Sequence, residues 1–177
     1  MRTDDFWAVI DRATAERPAT PAVVAERAVA ELASRDPEEI VAWGRHLDKV
    51  MVASGTEDLW AAAYLINGGV DEAGFDAFRG WLIAHGRKAV AAVVASPDVL
   101  ATVASVKAVA DTGATCSAEE VLGIARQAYE QATGNPFPAG EPLKIRPEVG
   151  DLWDFDNEEE MHRRLPRLAA LFLEPPD

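Results

Sequence analysis

Apolar residues in this chain recur every third or fourth position, and the runs they form are bracketed by residues that start and stop helices. That period gathers each run on one helical face, whereas a strand would need strict alternation. Thr3 stands before Phe6, Ile10 and Ala13, with Asp4 and Asp5 in a first turn where carboxylates complement the helix dipole, and Arg17-Pro18 ends the run. Thr20-Pro21 opens a second helix carrying Val24, Ala28 and Leu32. Asp36-Pro37-Glu38-Glu39 places a cap, a proline at the first helical position and a glutamate at the third ahead of Ile40, Trp43, Leu47, Val50 and Met51. The run from Leu59 to Ile66 is apolar all round, which predicts a short helix enclosed by others, and Asn67-Gly68-Gly69 stops it. Asn67-Gly68 also reads as a hairpin turn, but no alternating strand follows.

Asp71 opens a helix with Phe75, Phe78 and Leu82, closed by Gly86, and an Ala/Val-rich helix runs on to about Ala95. Ser96-Pro97-Asp98 restarts the chain and Asp111-Thr112-Gly113 breaks it again. Ser117 with Glu120 forms a capping-box pattern leading through Val121, Ile124, Ala128 and Ala132 to Gly134. The expected architecture is all-α: one domain over residues 1–177 with seven to nine helices, and no internal repeat. Residues 135–156 form an extended Pro-rich and acidic connection, and residues 157–173 a C-terminal helical segment that Pro166 kinks or restarts.

A chain of 177 residues is long enough to bury roughly 70% of its unfolded surface without covalent staples. The single cysteine, Cys116, rules out a disulfide framework and four-cysteine zinc sites, and fits a reducing cytoplasm. Met1 to Phe6 lacks the basic and apolar regions of a secretory signal. The longest apolar run is eight residues, against the roughly 20 that a membrane-spanning helix needs. Thirty acidic against seventeen basic side chains leave a net charge of −13. Nucleic acid and anionic membrane surfaces are therefore not expected partners, and a basic or neutral protein is.

DLWAAAYLINGG, GFDAFRGWLIAHGR, the N-terminal FWAVID, the Arg45-His46-Leu47-Asp48 stretch and the ending WDFDNEEEMHRRLPRLAALF together carry a resemblance. The chain resembles a bacterial family catalogued only as domain of unknown function 4240. That resemblance implies no agreed chemistry. Members often place a cysteine and further acids after the double glycine, where this chain has Val70, Asp71, Glu72 and Ala73. A mechanism needing a thiol at that point does not transfer to this chain.

Arg79 falls on the apolar face with Phe75, Phe78 and Leu82, so its guanidinium needs a carboxylate, for which Asp76 and Asp58 are the candidates. An ion pair tying two helices is the plainer reading, and an anion-binding arginine in a pocket the sharper one. His46 and Asp48, two apart, point about 200° from each other and cannot form a dyad directly; His46 reads as a packing histidine. His85 sits at a helix C-terminus, and His162 reads as exposed in an arginine-rich turn. Among the tryptophans, Trp43 and Trp60 read as core and Trp7 and Trp81 as helix packing, while Trp153 anchors either its own acidic loop or a partner.

No metal or cofactor is expected. The histidines and the cysteine are dispersed, and Asp154-x-Asp156-x-Glu158 fails as a calcium loop because Glu159 and Leu165 stand where glycine and a bidentate glutamate belong. Phosphate-cradling and nucleophile-elbow patterns are absent from the sequence. Two functional expectations follow. The first is a non-enzymatic interaction or regulatory domain, with Trp153, Asp154 and Asp156 on its partner surface. The alternative is a small-molecule or hydrolytic pocket between helices three, four and five, centred on Arg79 with Asp58, Asp76, His46, Asp48, Asn67 and Trp60.

Overall fold

The helical period is realised throughout the structure, a computed structural model that describes residues 2–17, 19–140 and 143–173. Among the described residues there are eleven α-helices, two short 3-10 turns and no strand. In order the helices are α1 (Thr3–Ala15), α2 (Pro21–Ala33), α3 (Pro37–Ser54), α4 (Glu57–Asn67), α5 (Glu72–Ile83), α6 (Arg87–Ala95), α7 (Ala104–Thr112), α8 (Glu119–Leu122), α9 (Ile124–Thr133), α10 (Glu158–Arg164) and α11 (Pro166–Phe172). The count exceeds the expected seven to nine because two runs are cut. Gly123 separates α8 from α9, and Pro166, which lacks the N–H that would continue the ladder, separates α10 from α11.

α4 is the enclosed helix. It packs on α5, α7, α11 and the 3-10 turn Pro97–Thr102, and buries Leu59, Trp60, Ala61, Ala62, Ala63 and Ile66. Its three alanines let neighbours approach on several sides without leaving space. Thr56 caps it by accepting the Leu59 N–H at 3.3 Å. At the other end Gly68 takes a left-handed conformation (φ 67°) and its N–H donates to the Tyr64 carbonyl. A second layer forms where α9 packs on α2 and α3, and α1 on α2.

Several caps follow the sequence: Thr20 accepts from Val23, Asp71 from Gly74, and Gly113 and Gly134 close their helices in the left-handed region. Asp36 holds the cap position of α3, but its side chain makes no cap hydrogen bond. Thr3 does not cap α1. Arg2 stands at the cap and donates its backbone N–H to Asp5 Oδ2 at 3.0 Å, so the helix begins at Thr3 itself. Ser117 does not cap α8 either, because the buried Ala118 donates its N–H to the Ala77 carbonyl of α5 at 2.9 Å, and that tie starts the helix a residue later. α5 stops at Ile83, and Gly86 stands instead before the first residue of α6. Pro18, the expected stop of the first helix, and Pro142 of the Pro-rich connection lie outside the described residues.

Candidate functional site

Arg79 has no solvent exposure, as its helical phase predicts. Its NH2 group pairs with Asp76, one turn back on α5, and its NH1 group donates to two backbone carbonyls, Met51 at the end of α3 and Ile145 in the connection, each at 2.6 Å. The guanidinium carbon lies 4.4 Å from the centre of the Phe75 ring, which stacks in turn on Trp60 at 4.8 Å. Burial pulls the Arg79 pKa down and the Asp76 carboxylate opposes that pull. Asp76 also accepts from Arg146 NH1 at 2.9 Å, and Arg146 pairs on its other side with Glu72. Two arginines and two carboxylates thus alternate from the core to the surface.

The other residues expected beside Arg79 lie in separate places. Asp58 pairs with Arg164 of α10 at 3.1 Å and never reaches Arg79. Asn67 makes a reciprocal pair with the Cys116 backbone, donating to its carbonyl at 3.1 Å and accepting its N–H at 2.9 Å. His46 stacks on Phe6 at 5.1 Å, and desolvation lowers its pKa, with Lys49 adding to the shift. Asp48 is exposed. His85 contacts the Trp81 carbonyl through Nδ1, and His162 is half-buried rather than exposed. Among the described residues no three of His, Cys, Asp and Glu are grouped to hold a metal ion.

Cys116 is buried, and desolvation raises its thiol pKa from 9.0 to about 11. A thiol-specific reagent at pH 8 is expected to leave it unmodified in the folded chain and to label it fully in denaturant; rapid labelling of the native protein would contradict this burial. The sign of the linkage follows. The stability carried by this raised pKa is intact below pH 9 and is lost as pH climbs toward 11.

An open groove runs beside α4. It encloses about 230 Å³ and is floored by Tyr64, Leu65, Phe172 and Leu173, with Phe155, Asp156 and Glu158 at its edge. The loop forming that edge is pinned along α4: the Trp153 N–H donates to Glu57 at 2.6 Å, and Tyr64 donates its hydroxyl to Asp156 at 2.6 Å. Trp153 packs edge-on against Phe155 at 4.9 Å and beneath the Arg164 guanidinium at 5.1 Å, so it anchors its own loop. Asp156 and Glu158 face the groove, while Asp154 is exposed and accepts the Asp156 N–H. Asn157 caps α10 by accepting the Glu160 N–H, which leaves Glu158 and Glu159 in a first turn where the dipole favours them.

The family model described as protein of unknown function (DUF4240) matches residues 1–131. The chain belongs to this family. No curated protein and no solved structure matches it. The DUF4240 segment holds Arg79, Asp76, Glu72, Tyr64 and Leu65, whereas Ile145, Arg146, the loop from Trp153 to Asp156 and the groove-lining Phe172 lie beyond the matched residues, as does the C-terminal string that the sequence resemblance included. Both surfaces described above are therefore built jointly by the DUF4240 segment and by the chain that follows it.

A wider cleft of about 470 Å³ near the start of α3 is lined by Asp5, Arg12, Arg35, Glu38 and Glu39. Its two arginines both bind Glu31 and so have little left for a ligand. Sequence reasoning did not single out Tyr64, Leu65 and Phe172, because a half-buried apolar residue has the same helical phase as a core one. It also passed over Ile145 and Arg146. The signal available there was a pair of basic residues, Lys144 and Arg146, in a Pro-rich connection whose other charged residues are all acidic.

Proposed function

We propose that this chain is an interaction module that holds a short segment of a partner protein in the groove between α4, the Trp153–Asp156 loop and α11. One observation carries the reading: an apolar floor of Tyr64, Leu65 and Phe172 is bordered by the carboxylates of Asp156 and Glu158 on a chain of net charge −13. Such a surface favours a large aliphatic or aromatic anchor flanked by lysine or arginine. Arg79 supports this reading over a small-molecule pocket, because its guanidinium has no exposed surface and is held from inside by Asp76 and the Met51 carbonyl. The cytoplasm, where basic partner segments and a reduced Cys116 coexist, is the compartment that fits this role.

Selection of displayed peptides on the immobilised full chain tests the proposal. The enriched peptides should carry an apolar anchor beside basic residues, and their affinity should fall as salt rises. Leu65→Arg, which places a cation and a longer side chain in the groove floor, should weaken them by roughly tenfold or more. Enrichment without a basic-apolar pattern, or binding indifferent to Leu65→Arg, would rule the groove out.

A further inference from the structure

Residues 143–147 cross the junction of α3 and α4 and lie against α5, with Ile145 partly buried against the core. Leu143 is 51% exposed and Lys144 is exposed, so Ile145 and Arg146 make the attachment. Beside that packing, their polar ties to the body of the protein are of two kinds. The Ile145 carbonyl accepts from Arg79, and the Arg146 guanidinium forks across Asp76 and Glu72. A main-chain acceptor and a charged side chain one residue apart are how an extended peptide is gripped by a receptor.

The receiving surface is shaped for a backbone. A Cβ built on Gly55 would stand 2.1 Å from the Ile145 oxygen and 2.8 Å from its carbonyl carbon, so only glycine admits the segment this closely. Beside it, Arg79 aims an N–H outward, and the carboxylates of Asp76 and Glu72 supply acceptors for a cation. Every one of these receiving residues lies within the DUF4240 segment, residues 1–131, and the segment they hold lies outside it. The receiving residues thus lie within the matched stretch, and their occupant follows it in the chain.

We infer that the cleft of Gly55, Glu72, Asp76 and Arg79 recognises an extended segment of a partner protein bearing an apolar residue followed by arginine, and that Ile145-Arg146 fill it in cis as a stand-in. Charge complementarity favours this occupant. Without Arg146 the cleft holds one arginine against two carboxylates, a net negative site that a second guanidinium neutralises. The cis segment also sets a threshold. A short tether presents it at an effective concentration on the order of millimolar, so a partner must exceed that competition to bind. The inference does not depend on the groove beside α11, since the two surfaces share no residue.

The test uses the full chain and a fluorescein-labelled heptapeptide, Leu-Lys-Ile-Arg-Pro-Glu-Val, copied from residues 143–149. In an Arg146→Glu chain the cis segment is repelled by Asp76 and Glu72, and the peptide should bind roughly tenfold or more tighter than to the unaltered chain. Adding Gly55→Val should abolish that binding, and a peptide with glutamate in place of its arginine should not bind. The unaltered chain provides a reading that needs no variant to fold: excess peptide should shift the Gly55 and Ile145 amide resonances together. Failure of those resonances to move, or binding that survives Gly55→Val, overturns the inference. A concentration-dependent dimer of the unaltered chain that Arg146→Glu dissolves would also overturn it, since the occupant would then be a second copy of this chain.

Discussion

Replacing Asp76 with alanine is expected to lower the stability of the fold by about 3–5 kcal/mol, because it leaves a buried guanidinium without a counter-charge. Arg79 is fully buried, and its remaining partners, the Met51 and Ile145 carbonyls, are neutral. Arg146 loses an acceptor in the same step and keeps only Glu72. Urea denaturation should show the midpoint falling with little change in slope. The companion measurement separates charge from packing: Arg79→Met combined with Asp76→Ala should be less destabilised than Asp76→Ala alone, since no unpaired charge remains in the core. A double variant as unstable as the sum of its singles would show that the pair is not what holds these segments.

Trp60→Ala should cost about as much, roughly 3–5 kcal/mol, by a different route. The indole is 2% exposed, stacks on Phe75 at an interplanar angle of 10°, and sits on the helix that the rest of the fold surrounds. Its removal opens a cavity that the flanking alanines of α4 are too small to fill. It also withdraws one side of the sandwich that holds Phe75 under Arg79, so Trp60 and Asp76 should be energetically coupled rather than additive. With total stabilities of about 5–15 kcal/mol typical of such domains, either variant lies close to the unfolding threshold at room temperature. A thermal midpoint within a few degrees of the parent for Trp60→Ala would contradict its place in the core.

Legibility of the candidate sites varied with the range of the interactions involved. That Arg79 is buried was readable from its phase on α5, and that Asp76 serves it was readable from their spacing of three. Asp58 was an equally reasonable carboxylate on paper and lies elsewhere, paired with an arginine 106 residues away. Trp153 was left between anchoring its loop and meeting a partner, and the contacts that hold it come from Glu57 and Arg164, on helices that no local pattern places beside it. The Arg146 fork on Asp76 and Glu72 spans 70 and 74 residues, and no periodicity carries that distance.

By itself the amino-acid order determined the rods and their inward faces, from the period of apolar residues to the stop at Asn67-Gly68 and the restart at Pro166, because hydrogen bonds and caps in a helix act within about four residues. It also determined that α4 is largely enclosed, since a run apolar on nearly every side has little face to give to water; Tyr64 and Leu65 alone of that run are left half-buried, at the groove. Only the tertiary structure decided which charges meet, where the segment after residue 131 lies, and that Ser117 yields its cap to the tie between Ala118 and Ala77. Those outcomes depend on packing between elements distant along the chain, where many pairings are chemically equivalent until the core selects one.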